Sequence, residues 1–471
     1  MFFFLKITLI QALRQRYVQV ISLMLLLIFV LVSWNGTRVH KMRNAAYTEA
    51  TLTMRNAWST QGAVNPHNSA HYGHIVFQPV TAMQVLDNGV QPYAGGMLRL
   101  EAHKQNEPAF SAAQQRTELS RFGDFSLAWV LQVLMPLFII LLGFNIVSAD
   151  FENDTIKLIA AQGPHPFQYL LGKALSILLI ALILLYAGVT IQYVIYYAAG
   201  SGVPMEAAHL VSWLGTYTLY VIVISLLSVA LSAALKNSTA SLSMQLAGWI
   251  LWMIIMPRVT ANLGANMYPV EHRLAFNTTL AEDRKKGIDG HNPADQRIKA
   301  FEDSLLTHYK VSKLDSLPVN ADGLIMQADE NYSNLVYDNH FTRIRNTLDN
   351  QNKVSRYGAL LNPFLAARNL SMGIAQSDYK HYLQLVYDAE QYRRYLVQTL
   401  NEKMAYGGSK AGEWDWAPDS TWYASLPDFV YQKPTLKTTL YWYSTEWLSL
   451  CLWVCLATAW LLWIGRNLFR F

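Results

Sequence analysis

Cysteine is almost absent from this 471-residue chain, which holds only Cys451 and Cys455. They stand four residues apart inside an apolar run and read as small buried or lipid-facing side chains. With no other cysteine, the polar parts of the chain cannot rely on disulfides. Charge is also scarce, at 15% of residues, and the net of +5 comes without a basic stripe, which argues against a nucleic-acid partner. No nucleophile elbow, HExxH motif or other catalytic signature is present. The nearest approach to a phosphate-binding loop runs from Gly163 to Gly172-Lys173. It fails on spacing and has Ala174 where Ser or Thr belongs, so the chain is expected neither to hydrolyse ATP nor to be an enzyme. Internal repeats and low-complexity tracts are missing too.

What is abundant is apolar surface. Hydrophobic residues make up 52% of the chain and aromatic residues 13%, including 14 tryptophans and 26 tyrosines, whose rings favour a membrane interface. That is too apolar for an ordinary soluble protein and too polar for spans alone. A bilayer core needs about 20 mainly apolar residues per helix. Spans are therefore expected at 17–34, 127–147, 174–197, 209–235, 240–256 and 447–465, the fifth being short and ended by Pro257-Arg258. Residues 1–16 mix Phe2, Phe3, Phe4 and Leu5 with Lys6 and Arg14, a pattern suited to a helix lying at the cytoplasmic interface. No small-x-small cleavage site follows the first run, which reads as a permanent anchor.

Lys6, Arg14, Arg16, Lys157, Lys173, Lys236, Arg466 and Arg470 all fall on one side of a six-span arrangement. The positive-inside rule then makes both termini and the tail 466–471 cytoplasmic, and 35–126 and 257–446 external. The expected fold class is an α-helical polytopic membrane protein with six transmembrane helices. It carries a small mixed α/β external segment, 35–126, and a larger, mainly helical external domain, 257–446. Helices are expected in the latter at 294–309, 328–349 and 379–404. The first segment is marginal alone and would rest on the second.

The spans hold few polar groups: Gln132, Gln192 and Gln245 at depth, with Glu446 at an outer edge. Acidic groups near the midplane, which ion-coupled transporters use, are missing, and the glutamines read as helix–helix hydrogen-bonding groups. His67, His71 and His74 are spaced i, i+4, i+7, but Pro66, Gly73 and the following β-like run argue against one continuous helix. No cysteine or acidic residue completes a ligand set nearby, so no metal site is expected.

The polar interruption at 148–173 is the most telling feature. Ala149-Asp150-Phe151-Glu152-Asn153-Asp154-Thr155-Ile156-Lys157 reads as a cytoplasmic helix of about three turns. Gly163, Pro164 and Pro166 close it and hinge it to the third span. A helix so placed is a handle that a soluble partner can push.

The stretch Phe151 to Ile159, with Gln162-Gly163 and Leu171-Gly172-Lys173 after it, resembles the coupling segment of ABC exporter permeases (type V, ABC-2-like). Asp154 stands where that family usually has glycine; it is expected to leave the helix intact and to add a charge at the docking surface. The likeness extends to His71-Tyr72-Gly73, Asp87-Asn88-Gly89-Val90, 100–106 and Arg121-Phe122-Gly123. It continues at Pro257-Arg258, Tyr268-Pro269, 317–320, Leu370-Ser371-Met372 and 389–393. These are similar to the branch with a large external domain described as multi-copper enzyme maturation permeases. No Met-rich or cysteine motif in the external segments supports a copper site.

The resemblance implies six spans, an interfacial N-terminal helix, and a second permease subunit, either this chain or a related one. It also implies separate ATPase subunits that bind ATP and magnesium; this chain would hold no cofactor. Phe151, Ile156 and Ile159 would be the apolar docking contacts, and Glu152, Asp154, Thr155 and Lys157 the polar remainder of the coupling helix. The implied function is export across the bacterial inner membrane. The first alternative is transmission of force to the external domains, which would act on a periplasmic partner. A membrane-anchored receptor or scaffold without an ATPase is the second.

Overall fold

The computed structural model describes residues 1–107, 125–200 and 202–469. Arg121, Phe122, Gly123 and Arg470, used in the reading above, lie outside the described residues. Within these, six helices are long and apolar enough to cross a membrane: Arg16–Ser59, Leu127–Glu152, Pro166–Ala198, Ala207–Leu235, Ser238–Met267 and Ser444–Asn467. This is the architecture of a membrane-embedded helical protein, in which each span satisfies its backbone internally. A helix at Phe2–Arg14 precedes them and lies along Pro166–Ala198. Gly172 permits the contact, because a Cβ there would fall 2.8 Å from Phe4 Cβ and 2.9 Å from the Met1 carbonyl.

The glutamines of the spans tie helices together. Gln132 donates to Tyr217 Oη at 2.7 Å and Gln192 to Thr37 Oγ1 at 3.0 Å. Gln245 accepts from Ser228 Oγ at 2.6 Å. Glu446, buried at the start of the last span, is held by Arg356 Nε at 3.0 Å. Cys451 and Cys455 are free and on an exposed helix face.

Three boundaries differ from the sequence reading. The first helix does not stop with its apolar run at residue 34 but continues to Ser59. Residues 35–59 contain one glycine, no proline and many helix formers, so propensity carries the helix onward after hydropathy has ended. Nor does Pro257 end the fifth span, which runs on to Met267. A π-helical turn at Leu251–Ile255 comes just before it, with the Met256 amide reaching back to the Leu251 carbonyl. Such a widened turn lets the chain pass a proline ring that would otherwise clash with the preceding turn. The same device, Val130–Leu134, precedes Pro136 in the second span. Finally, Pro363–Ile374, assigned above to the external domain, packs among the spans, with Leu365, Ala366, Leu370 and Ile374 fully buried. At 12 residues it is far too short to cross a bilayer.

The polar part is one body built from both segments. Strands β1 (His74–Phe77), β2 (Met97–Glu101) and β3 (Lys104–Gln105) form an antiparallel sheet in the order β1-β2-β3, with Val76 opposite Leu98. Along β2, Leu98 and Leu100 are buried and Arg99 is exposed, the period-two pattern of a half-covered strand. The covering element is the helix Tyr379–Tyr406, through Leu385 and Ala389. Helices Arg273–Lys286, Ala294–Tyr309 and Ala321–Leu361 complete the body. As the sequence suggested, no single helix carries all three histidines of this segment. Pro66–Tyr72 is a short helix, with Pro66 at its first turn and Gly73 as its C-cap, so His67 and His71 do share a face. His74 leaves it as the first residue of β1, its ring edge-on to Trp58.

Where this body meets the spans, Asp87 is buried and accepts from Ser371 Oγ at 2.5 Å and from the Gly89 amide at 3.0 Å. Burial outweighs these bonds and pushes its carboxyl up to about 6. A raised carboxyl favours the protonated folded state, so this group stabilises at low pH and its contribution is lost as pH rises through 6. The full effect is on the order of 3 kcal/mol. The wild-type melting temperature in detergent should therefore fall between pH 5 and pH 7. Asp87→Asn should flatten that slope and melt higher at pH 7; equal slopes in both proteins would refute this.

Candidate functional site

Between the second and third spans the chain makes an elbow of two short helices, Ser148–Glu152 and Thr155–Ala161. The single three-turn helix expected from the sequence is broken at Asn153-Asp154 because Asp154 adopts a left-handed conformation, φ +55°. Left-handed backbone costs a non-glycine residue about 1–2 kcal/mol, and aspartate is among the few that tolerate it. This corrects the expectation that Asp154 leaves the helix intact.

Asp154→Gly should thus keep the elbow and raise its stability by about 1 kcal/mol, since the exposed Asp154–Lys157 pair it removes, 2.7 Å apart, is worth only a few tenths. Asp154→Val should loosen it. Hydrogen exchange of the amides at 155–161 distinguishes the two outcomes.

Side chains root the elbow in the spans on three sides. Asp150 pairs with the buried Lys173 on the third span and accepts from Tyr169. Glu152 Oε1 accepts from the Ser238 amide at 2.7 Å and Oε2 from Ser238 Oγ at 2.6 Å, which caps the N-terminus of the fifth span with a carboxylate. Phe151 lies half-buried with Lys236 Nζ 4.9 Å from its ring centre; Lys236 makes the turn between the fourth and fifth spans, at φ +53°. Ser232 Oγ accepts from the amides of Val147 and Ser148 at 3.0 and 3.1 Å. Gly163 follows at φ +75° with open space around it. Pro164 comes next, and Pro166 opens the third span, whose N-cap is His165.

The faces of the elbow differ from the assignment made above. Ile156 is 1% exposed and sits in the core of the spans, with Phe151 and Ile159 packed against that same core. Ile156 and Ile159 hold the second short helix to its own chain, and Phe151 holds the first. The apolar side chain presented outward is Leu158, 66% exposed, flanked by Lys157 and Asp154, while Thr155 is half-buried. Sequence reasoning overlooked Leu158 although its signal was present. In a helix, positions i and i+2 point to nearly opposite sides, so burying Ile156 exposes Leu158.

Among the second, fourth, fifth and last spans lies an apolar cavity of about 500 Å³ lined by Ile140, Leu227, Trp249, Trp252, Trp453 and Trp460.

Two family models match parts of the chain. A domain of unknown function (DUF3526) covers residues 273–432, the helices of the polar body together with Pro363–Ile374. A protein of unknown function (DUF2705) covers 105–287, from the end of β3 past the fifth span and through the helix Arg273–Lys286. No curated protein matches the chain.

Proposed function

We propose that the chain is the membrane subunit of an ATP-binding cassette exporter of the type V class, moved by a separate ATPase that docks on the elbow at 148–161. The observation that carries this reading is an exposed short helix with one apolar side chain, Leu158, between charged neighbours. The short helix before it is rooted by Asp150, Glu152 and Phe151 in the third, fifth and fourth spans. A push on Leu158 reaches all three, and the Gly163–Pro166 link lets the second short helix swing against the third span. Both termini would be cytoplasmic, the polar body external, and the assembly completed by a second membrane subunit. ATP and magnesium would belong to the ATPase. The apolar cavity among the second, fourth, fifth and last spans supports passage of an apolar or lipid-like substrate.

The force-transmitting reading draws on a different feature. Arg16–Ser59 and Ser238–Met267 each continue unbroken from the apolar layer toward the polar body, and a rigid helix carries a tilt from one layer into the other. The two readings share the elbow and differ in what the motion serves.

Gentle solubilisation of the full chain from its native membrane, followed by mass spectrometry, tests the proposal. A stoichiometric ATPase subunit supports it; a well-folded chain that purifies alone each time favours an anchored receptor. Replacing Phe151 and Glu152 together is a poor test of docking, because it also removes the carboxylate that holds Ser238 at the start of the fifth span.

A further inference from the structure

Three histidines meet in the polar body, two of them four residues apart on one helix and the third from a later turn. His67 and His71 come from the short helix Pro66–Tyr72 and His103 from the turn between β2 and β3. Each offers one nitrogen, and all three nitrogens lie within 4.8 Å of one another. His67 Nε2 and His71 Nε2 are already 3.1 Å apart. Tetrahedral zinc with nitrogen ligands at about 2.0–2.1 Å requires about 3.3 Å between them, so no nitrogen has to move more than about 1.5 Å. A rotation about the side-chain torsions of these partly exposed residues supplies that.

The surroundings are built to aim His103. Its backbone sits at φ +62°, an unfavourable conformation for a residue with a Cβ. Three bonds hold the turn: the Ala102 amide donates to the Ala70 carbonyl at 2.9 Å, Tyr337 Oη donates to the His103 carbonyl at 2.8 Å, and the His103 amide donates to Glu330. Glu330 Oε1 also binds His103 Nδ1 at 2.8 Å, which leaves Nε2 as the free nitrogen of the ring. Glu330 is itself buried and anchored by Arg393 at 3.3 Å. A carboxylate behind a histidine, fixing its tautomer, is the usual outer support of a ligating imidazole. On the other side, Asn65 Oδ1 accepts from the His67 amide at 2.9 Å, and Trp414 packs edge-on to the His67 ring, 5.5 Å away. Plain surface histidines need none of this, and three imidazolium charges this close would repel.

We propose that His67, His71 and His103 bind a divalent first-row transition-metal ion through three neutral imidazoles, with a fourth position open to solvent. Three protein nitrogens and an open position describe a site that exchanges or uses its ion, unlike a closed structural site. Imidazole donors without thiolate or further carboxylate suit zinc, copper(II), nickel and cobalt, and disfavour calcium and magnesium. This inference rests on the histidine geometry alone and is independent of the transport reading.

The test uses the full chain in detergent, with any affinity tag removed and metal stripped by chelation, titrated with Zn²⁺ and separately with Co²⁺. The expected result is one ion per chain with a micromolar or tighter Kd, and visible Co²⁺ absorption of a low-coordinate nitrogen site. His71→Ala, on an exposed side chain that the fold does not need, should weaken binding at least tenfold. Glu330→Gln should weaken it about 10- to 100-fold by freeing the His103 ring. Absence of stoichiometric uptake by the wild type, or an unchanged titration in His71→Ala and His103→Ala variants that elute and melt like the wild type, would overturn the proposal.

Discussion

If an ATPase docks on the elbow as proposed, Leu158→Asp is expected to abolish its co-purification while leaving the membrane fold unchanged. Leu158 is the one large apolar side chain that the elbow shows to solvent, at 66% exposure. An anchor of this kind at the centre of an interface is worth about 2–4 kcal/mol, which corresponds to a loss of about 30- to 1000-fold in affinity. For the isolated chain the same change is a surface substitution, worth about 0.5 kcal/mol. Ile156→Asp supplies the opposite pattern. It puts a carboxylate into a side chain's place in the core of the spans, so the chain itself should become unstable. Lys157→Glu, on the rim, should alter the salt dependence of docking more than its strength. An ATPase that remains bound and coupled to the Leu158→Asp chain would place the docking surface elsewhere.

The spans were legible because a bilayer leaves little choice: about 20 apolar residues must stand together. Their ends were not, and the reason differs at each. Residues 35–59 keep a helix going on backbone propensity after the apolar stripe has stopped, and no hydropathy pattern marks that. At Pro257 the π-turn at Leu251–Ile255 removes the clash that makes proline a stop signal. Pro363–Ile374 was lost in a polar segment because a buried helix of 12 residues is too short to read as a span.

The elbow was legible in place but not in facing. Gly163, Pro164 and Pro166 fix where it ends, yet Phe151, Ile156, Leu158 and Ile159 lie on more than one face. Only the left-handed Asp154 decides which of them turns inward. The histidine cluster was the hardest to see. Asn65, Pro66 and Gly73 do spell the cap, first turn and end of a short helix. Nothing local, however, brings His103 beside it or Glu330 behind His103.

Arg393→Ala should be among the most damaging single changes in the polar body. Arg393 is fully buried and answers two carboxylates at once, Glu390 at 2.8 Å and Glu330 at 3.3 Å, while also bonding Asn334. Burial alone would push the Glu330 carboxyl up. The bonds from His103 and the Arg393 charge outweigh it and hold that carboxyl below its ordinary value, so it is ionised at neutral pH. Removing the guanidinium takes from both carboxylates the cation they share; of the two, Arg394 reaches only Glu390, and it is also engaged by Asp338. Breaking a buried pair in this way costs about 3–5 kcal/mol, far more than the pair contributes over a well-packed apolar replacement. Lysine does not rescue it, because one ammonium cannot reproduce the forked contacts to Glu390 and Glu330. Thermal unfolding and limited proteolysis of the full chain should show the body around the helix Tyr379–Tyr406 opening, while the spans stay protected. Adding Glu390→Gln and Glu330→Gln to Arg393→Met should restore much of the loss, since it removes the stranded charges together. If Arg393→Ala melts within about 1 kcal/mol of the wild type, the two carboxylates are neutral or hydrated in the native protein, and the buried network does not hold the body together.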